Sequence, residues 1–338
     1  MAAPMPADEI MNAFYKTLEG VLNIKDEQAK ELVSGFNTGD LAFFETYFKA
    51  LPSAKLEENS NVKNAKSNVT LFVKGKNIGA GASGVIKKNR TGNFVYKSIR
   101  DMGAPEKRLI YLKSIFQEAI IQTLLQSDAT HGQYICQLYK VYRQGNDCIF
   151  QMEPLETTLE KVIGLEKDMD IEAYEMDPKP INAIVLKVLL KVLEIIKHFN
   201  DKYGFCHNDL SVSNIMMRKS KNGVNEGNGG NGGNGGNGGN GGNGVNEVKL
   251  IDFGLSSVSF GNIQIGRPLK SRIDQQYLIL KLYTILDINP TDFSKKLETL
   301  LELPGDTPIQ TYIDHLQPSK NNTRKNGGKR RRTIRKRS

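Results

Sequence analysis

Two short polar runs, each fused to an apolar strand-like stretch, constrain this chain more than any other feature. The first is Phe205-Cys206-His207-Asn208-Asp209-Leu210-Ser211-Val212-Ser213-Asn214, continuing into Ile215-Met216-Met217. The second is Val248-Lys249-Leu250-Ile251-Asp252-Phe253-Gly254. Among their oxygen donors are two carboxylates, Asp209 and Asp252, and the amide of Asn214. Oxygen donors of this kind suit a hard cation such as Mg²⁺. Either run alone reads as a plain turn or a strand end. Both together, in order and each joined to a strand, are hard to reconcile with that bland reading.

His-x-Asp-Leu-x-x-x-Asn followed by Asp-Phe-Gly resembles the catalytic loop and metal-binding motif of the protein kinase superfamily. The resemblance implies transfer of the γ-phosphoryl group of ATP, a reaction that depends on positioning and charge neutralisation. It casts Asp209 as the group that orients the attacking hydroxyl and takes its proton. It casts Asn214, five residues on, and Asp252 as ligands of Mg²⁺.

A second glycine-rich feature lies upstream. Gly79-Ala80-Gly81-Ala82-Ser83-Gly84-Val85-Ile86 is a Gly-x-Gly-x-x-Gly run, which lets backbone N–H groups approach phosphate oxygens. Such triplets also mark dinucleotide folds, which need a helix directly after the glycines. Here Val85-Ile86-Lys87-Lys88 leads instead to a turn, Asn89-Arg90-Thr91-Gly92-Asn93, and then to Phe94-Val95-Tyr96-Lys97. Residues 68–97 therefore read as a β-meander, the arrangement found in kinases. Lys97 falls where the family keeps a lysine for the α- and β-phosphates.

Residues 106–126 read as a helix with Leu109, Leu112, Ile115, Phe116 and Ala119 on its inner side. Glu118 lies among these apolar residues, where a carboxylate is costly unless paired. The resemblance pairs it with Lys97. Glu106 is the rival, but its place after Pro105 at the helix start suits a dipole role better. Residues 136–143 and 147–152 read as two strands. By resemblance Ile86 and Met152 border the adenine pocket, and Glu153-Pro154-Leu155 forms a hinge whose backbone groups bond the adenine edge, so that side-chain identity there matters little. Pro180 opens a long helix, 181–202, that delivers the chain to His207.

Residues 1–51 read as three helices, with Asp26 and Asp40 opening the second and third. Their aromatics must be buried, against the back of the main domain or against a partner. Residues 52–69 read as a polar linker. Residues 222–247 hold five Asn-Gly-Gly units between two copies of Asn-Gly-Val-Asn-Glu. That composition cannot bury enough surface to fold. It replaces the turn between strands 215–217 and 248–251, where a longer loop costs only about 0.6 kcal/mol per doubling. After Gly254, helices are expected near 272–286, after Thr291, and over 308–316. No Ala-Pro-Glu follows Asp252-Phe253-Gly254, so the helical lobe is short.

The implied fold is α+β and bilobal: an antiparallel sheet with one helix, then a truncated, mainly helical lobe. The kinase-like domain spans 70–317, and 318–338 is a disordered basic tail. The compact end and the His207–Asn214 and Ile251–Ser256 sequences resemble the kinase subunit of the KEOPS complex. Its relatives are Ser/Thr kinases or ATPases serving an RNA-associated assembly. The basic end and the Asn-Gly tract resemble proteins of large DNA viruses, which would place the chain in a host cell or virion. Asn208 without the usual arginine also suits small-molecule phosphotransferases of the aminoglycoside type. Asn208 stands where an arginine usually grips a phosphorylated loop, so switching by phosphorylation there is not expected. Ser211 replaces the usual Ser/Thr-kinase lysine. Asp274 is read either as the buried aspartate that holds the catalytic-loop backbone or as a helix N-cap.

Charge and cysteines complete the reading. The chain carries +9, yet Lys320 onward holds ten basic residues and no acidic one, which leaves the body at −1. The tail therefore suits salt-sensitive contact with RNA, DNA or an anionic surface. Three scattered cysteines fit buried thiols in a reducing compartment. No transmembrane segment or secretory signal is apparent, so an intracellular protein, cytoplasmic or nuclear, is expected. The expected acceptor is a Ser/Thr hydroxyl of a protein substrate.

Overall fold

The structure is a computed structural model. It describes residues 7–57, 69–81, 84–101, 103–167, 179–218, 247–261, 263–267, 274–286 and 291–317. The expected Asn-Gly loop, the basic tail and the tip of the glycine turn, residues 82 and 83, lie outside these residues.

Three helices open the chain: α1 (Ala7–Leu22), α2 (Asp26–Ser34) and α3 (Leu41–Ala50). Asp40 caps α3, its carboxylate accepting the Ala42 N–H at 2.8 Å. The apolar stripe of each helix is buried, with Phe14, Leu18, Leu32 and Phe44 fully enclosed. They belong to the same core as the central domain, which is the packing expected on the back of that domain. The reason is the partner they find. The aromatics of α3 pack on α4 (Pro105–Gln126), which starts with proline at its first turn.

A six-stranded sheet follows in the order β1-β2-β3-β4-β6-β5. Its strands are β1 (Ala54–Glu57), β2 (Val69–Gly81), β3 (Gly84–Asn89), β4 (Val95–Ile99), β5 (Leu138–Gln144) and β6 (Asp147–Met152). All neighbours are antiparallel except β1 and β2. The stretch read as a linker thus contributes β1. Four residues of weak alternation gave no strand signal. A bridge between Ser53 and Arg143 joins the two edges, and the Arg143 N–H donates to Pro52 O at 2.9 Å. The sheet curls on itself around Ala54, Leu71, Val73, Tyr96, Tyr142 and Ile149. An edge strand so covered offers no free ladder for another chain.

The second lobe begins with β7 (Thr157–Thr158) and α5 (Leu159–Lys167). The long α6 (Lys179–Tyr203) buries Leu189, Val192, Leu193, Ile196 and Phe199 at the centre of the lobe. Gly204 ends it at φ +55°, and a Cβ there would lie 2.9 Å from Ser259 O. Only glycine turns the chain so tightly at that point. Beyond lie β8 (Ile215–Arg218) and β9 (Glu247–Leu250), an antiparallel pair with β7 on its outer side. Their ladder runs from Ile215 opposite Leu250 to Arg218 opposite Glu247. A hairpin, β10 (Val258–Phe260) with β11 (Ile263–Ile265), was not foreseen, because its strands are only three residues each. The lobe closes with α7 (Asp274–Leu286), α8 (Asp292–Leu301) and α9 (Ile309–Leu316). Thr291 and Ser294 form a capping box on α8. Among the described residues no helix is long and apolar enough to cross a membrane.

Candidate active site

The two polar runs meet because their strands pair. The Ile251 N–H donates to Asn214 O at 3.1 Å, directly beyond the β8–β9 ladder. Asn214 and Asp252 are thereby set side by side at one end of that small sheet. A bridge between Cys206 and Ser257 then draws the segment after Gly254 back along the start of the loop.

The loop itself is held from below. Asp274, on the first turn of α7, accepts the backbone N–H of His207 at 2.5 Å and of Asn208 at 2.8 Å. Of the two roles read for Asp274, this is the loop-holding one. Burial raises its carboxyl above the ordinary range, against the pull of His207 and the two N–H donors. Asn208 sits at φ +63° and Asp252 at φ +64°. Non-glycine residues in that region cluster at functional sites, where the surrounding bonds over-determine them. His207 Nε2 lies 3.0 Å from Ile251 O, and its ring packs on Phe253 at 5.5 Å.

From the sheet side, Lys97 on β4 reaches down. Its Nζ lies 2.7 Å from Glu118 Oε1 on α4 and 2.9 Å from Asp252 Oδ1. Lys97 and Glu118 are both buried. Burial pulls the ammonium toward its neutral form, but Glu118 and Asp252 outweigh that and hold its pKa above the ordinary lysine value. Glu106 stays in the first turn of α4, and the α4 carboxylate on Lys97 is that of Glu118. Asn214 donates its amide N–H to Asp209 O at 2.8 Å and to Asp209 Oδ2 at 3.3 Å. That orients the amide so that its oxygen is the atom left for a cation.

These groups line one cleft of about 540 Å³ between the lobes. Lys97, Glu118, Asp209, Asn214 and Asp252 all contribute to its wall. Ile86, Val95 and Met152 form its upper apolar side, and Met216 and Ile251 its lower side. Glu153 and Leu155 line the connection between the lobes. Gly79 and Gly81 end β2 opposite Ile86 and Gly84 at the start of β3. Gly84 has φ +144°, and a Cβ there would lie 2.1 Å from Ser98 O. No other residue fits that approach without moving the strand.

Two features escaped the sequence. Glu153 was expected to matter only through its backbone, yet its side chain is buried in an ion pair. Glu153 Oε1 lies 2.9 Å from Lys249 Nζ, and each side chain is 5% exposed. The same oxygen accepts the Gln137 N–H at 2.8 Å, while the Glu153 N–H donates to Gln137 O at 3.0 Å. The usable signal was the pair of charges flanking two apolar strands that both end at the cleft. The second feature lies away from it. Asp128, His131 and His198 bring possible ligand atoms within 4.8 Å of one another. Lys202 Nζ stands 2.6 Å from Asp128 Oδ2, and the two imidazoles stack at 3.7 Å and 10°. Parallel rings cannot both direct in-plane lone pairs at one ion, and the ammonium already holds the carboxylate. This cluster is a latch between the end of α4 and α6.

The sequence profile of the protein kinase domain matches residues 72–267. The chain belongs to the protein kinase family. No curated protein matches the sequence. Among solved structures, the crystal structure of the BubR1 kinase domain is similar at 17% identity and a TM-score of 0.47, over 85% of this chain and 91% of that one.

Proposed function

We propose that this kinase is an ATP- and Mg²⁺-dependent Ser/Thr protein kinase that moves the γ-phosphoryl group to a protein hydroxyl. The observation that carries the reading is the convergence of Lys97, Glu118 and Asp252 within hydrogen-bond distance on the wall that also holds Asp209 and Asn214. Lys97 grips the nucleotide phosphates, and Glu118 fixes its head. The apolar walls at Ile86, Val95, Met152 and Met216 take the flat adenine, and hinge backbone groups near Glu153 and Leu155 meet its edge. The Gly79–Gly84 turn covers the phosphates with N–H groups. Asp252 and the oxygen of Asn214 are the residues that would hold Mg²⁺, which supplies neutralising charge to the phosphates. Asp209 orients the acceptor hydroxyl and takes its proton.

The test uses the full chain, Mg²⁺ and ATP labelled in the γ-phosphate. Label should enter Ser or Thr of the chain itself or of a generic protein, and Asp209→Asn should cut the rate at least about 100-fold. Equal labelling by that variant removes Asp209 from its role. ATP turnover without any phosphoprotein would make the chain an ATPase of the KEOPS-like kind instead.

A further inference from the structure

We propose that α1–α3 form a built-in positioning module, in which the aromatic face of α3 presses on the outer face of α4 and keeps Glu118 on Lys97. This rests on the phosphotransfer reading of the cleft, because a positioned Glu118 matters only if Lys97 holds phosphates.

Glu118 reaches Lys97 only while α4 lies against the sheet. On its far side α4 meets α3. The Phe44 ring lies 6.0 Å from that of Phe116 at 26°, and Tyr47 meets the same ring edge-on at 6.5 Å. Phe48 meets Tyr111 at 6.5 Å. Phe44, Phe48 and Phe116 are fully buried, so any swing of α4 opens apolar surface to water. Arg108 pins the other end of this contact. Its Nε lies 2.6 Å from Glu45 Oε1 on α3, its Nη1 lies 2.8 Å from Asp101 Oδ2, and its guanidinium covers Phe48 at 4.6 Å. Tyr111 ties the same helix to the sheet by donating to Ile99 O or Asn146 O, each at 3.1 Å.

The module also reaches the segment after Asp252. Asn37, between α2 and α3, donates its amide N–H to Gln264 O on β11. Gln117, next to Glu118, donates to Gly254 O at 3.0 Å and Ser256 O at 2.8 Å. Asn208 donates to Leu255 O at 2.8 Å. Three neutral amides thus hold a segment that an arginine and a phosphate would otherwise hold. These contacts all come from within one chain, so the proposal calls for neither an activating partner nor a phosphorylated loop.

The experiment compares two core truncations in the full chain, Phe44→Ala in the module and Leu297→Ala on α8, far from the cleft. Both lower the melting temperature, so each is assayed where it is folded. Phe44→Ala should lower kcat about 10- to 100-fold by misplacing the phosphates. It should also raise deuterium exchange over 105–126, and Phe44→Leu should recover most of the rate. Leu297→Ala should keep the wild-type kcat and the wild-type exchange in α4. Should Phe44→Ala prove too unstable, Glu45→Gln tests the same contact with a smaller loss in the same direction. Matching kcat and α4 exchange in the Phe44 and Leu297 variants would overturn the proposal. If the wild type transfers no phosphate, the kinase reading fails on its own, and the exchange comparison still decides the positioning role. Phosphatase-treated wild type should keep its full rate; a loss would overturn the claim that no phosphate is needed.

Discussion

The buried pair between Glu153 and Lys249 offers a measurement whose size the structure sets in advance. Both side chains are 5% exposed, and the carboxylate also accepts the Gln137 N–H. Replacing Lys249 with methionine keeps most of the volume but takes the ammonium away from a buried carboxylate. Breaking such a pair from one side costs about 3–5 kcal/mol. The remaining N–H bond to Glu153 offsets part of that, since a hydrogen bond to a charged group is worth about 1.5–3 kcal/mol. A loss of about 2–3 kcal/mol is therefore expected for Lys249→Met. Glu153→Gln in the same background removes the buried charge and keeps an acceptor for Gln137. The double variant should return to within about 1 kcal/mol of wild type, because neutral replacements of buried pairs are often tolerated. Urea denaturation of the four proteins, followed by circular dichroism, gives the cycle directly. Additive losses, with the double variant worse than either single one, would refute the view that the hinge side chain is held by charge.

Asp274→Ala should lower kcat at least about tenfold and destabilise the chain by about 2–4 kcal/mol, as two backbone N–H groups lose a charged acceptor; steady-state kinetics beside thermal melts check both. Gly84→Ala should weaken nucleotide binding, because its Cβ cannot stand 2.1 Å from Ser98 O; titration with a fluorescent ATP analogue reads the loss. Asp128 has its own pH signature. Burial works to raise its carboxyl, but Lys202, the His131 N–H, Thr130 and Tyr203 prevail and hold it well below the ordinary range. A depressed carboxyl contributes stability above its unfolded pKa of about 3.9 and loses it as pH falls below that value. Asp128→Asn should therefore be less stable at neutral pH and show a flatter acid limb in melting temperature between about pH 5 and pH 2.

Much of the cleft was legible in the chain because its chemistry is local. His207 to Asn214 and Ile251 to Gly254 are continuous runs, and Lys97 follows the glycine turn by strand count. Glu118 was legible by contradiction, as a charge inside an apolar helix face. Asp274 was visible but ambiguous, since an N-cap and a loop anchor use the same side chain. What stayed hidden depends on neighbours remote in sequence. Gln117 and Gly254 are 137 residues apart, and Glu153 at the hinge meets Lys249 on β9. Nothing in either stretch alone names its partner. Helix periodicity showed that the first fifty residues bury aromatics, but not that α4 supplies the opposing face. The strands β1, β10 and β11 are too short for alternation to register.

The pairing of Arg218 with Glu247 has a practical use. Departure and return of the chain at that rung are neighbours, so a compact cargo grafted there is tethered at two adjacent points. A fluorescent protein or an affinity handle placed between those residues leaves both free ends untouched. It would report on the enzyme from a place where its cleft has no stake.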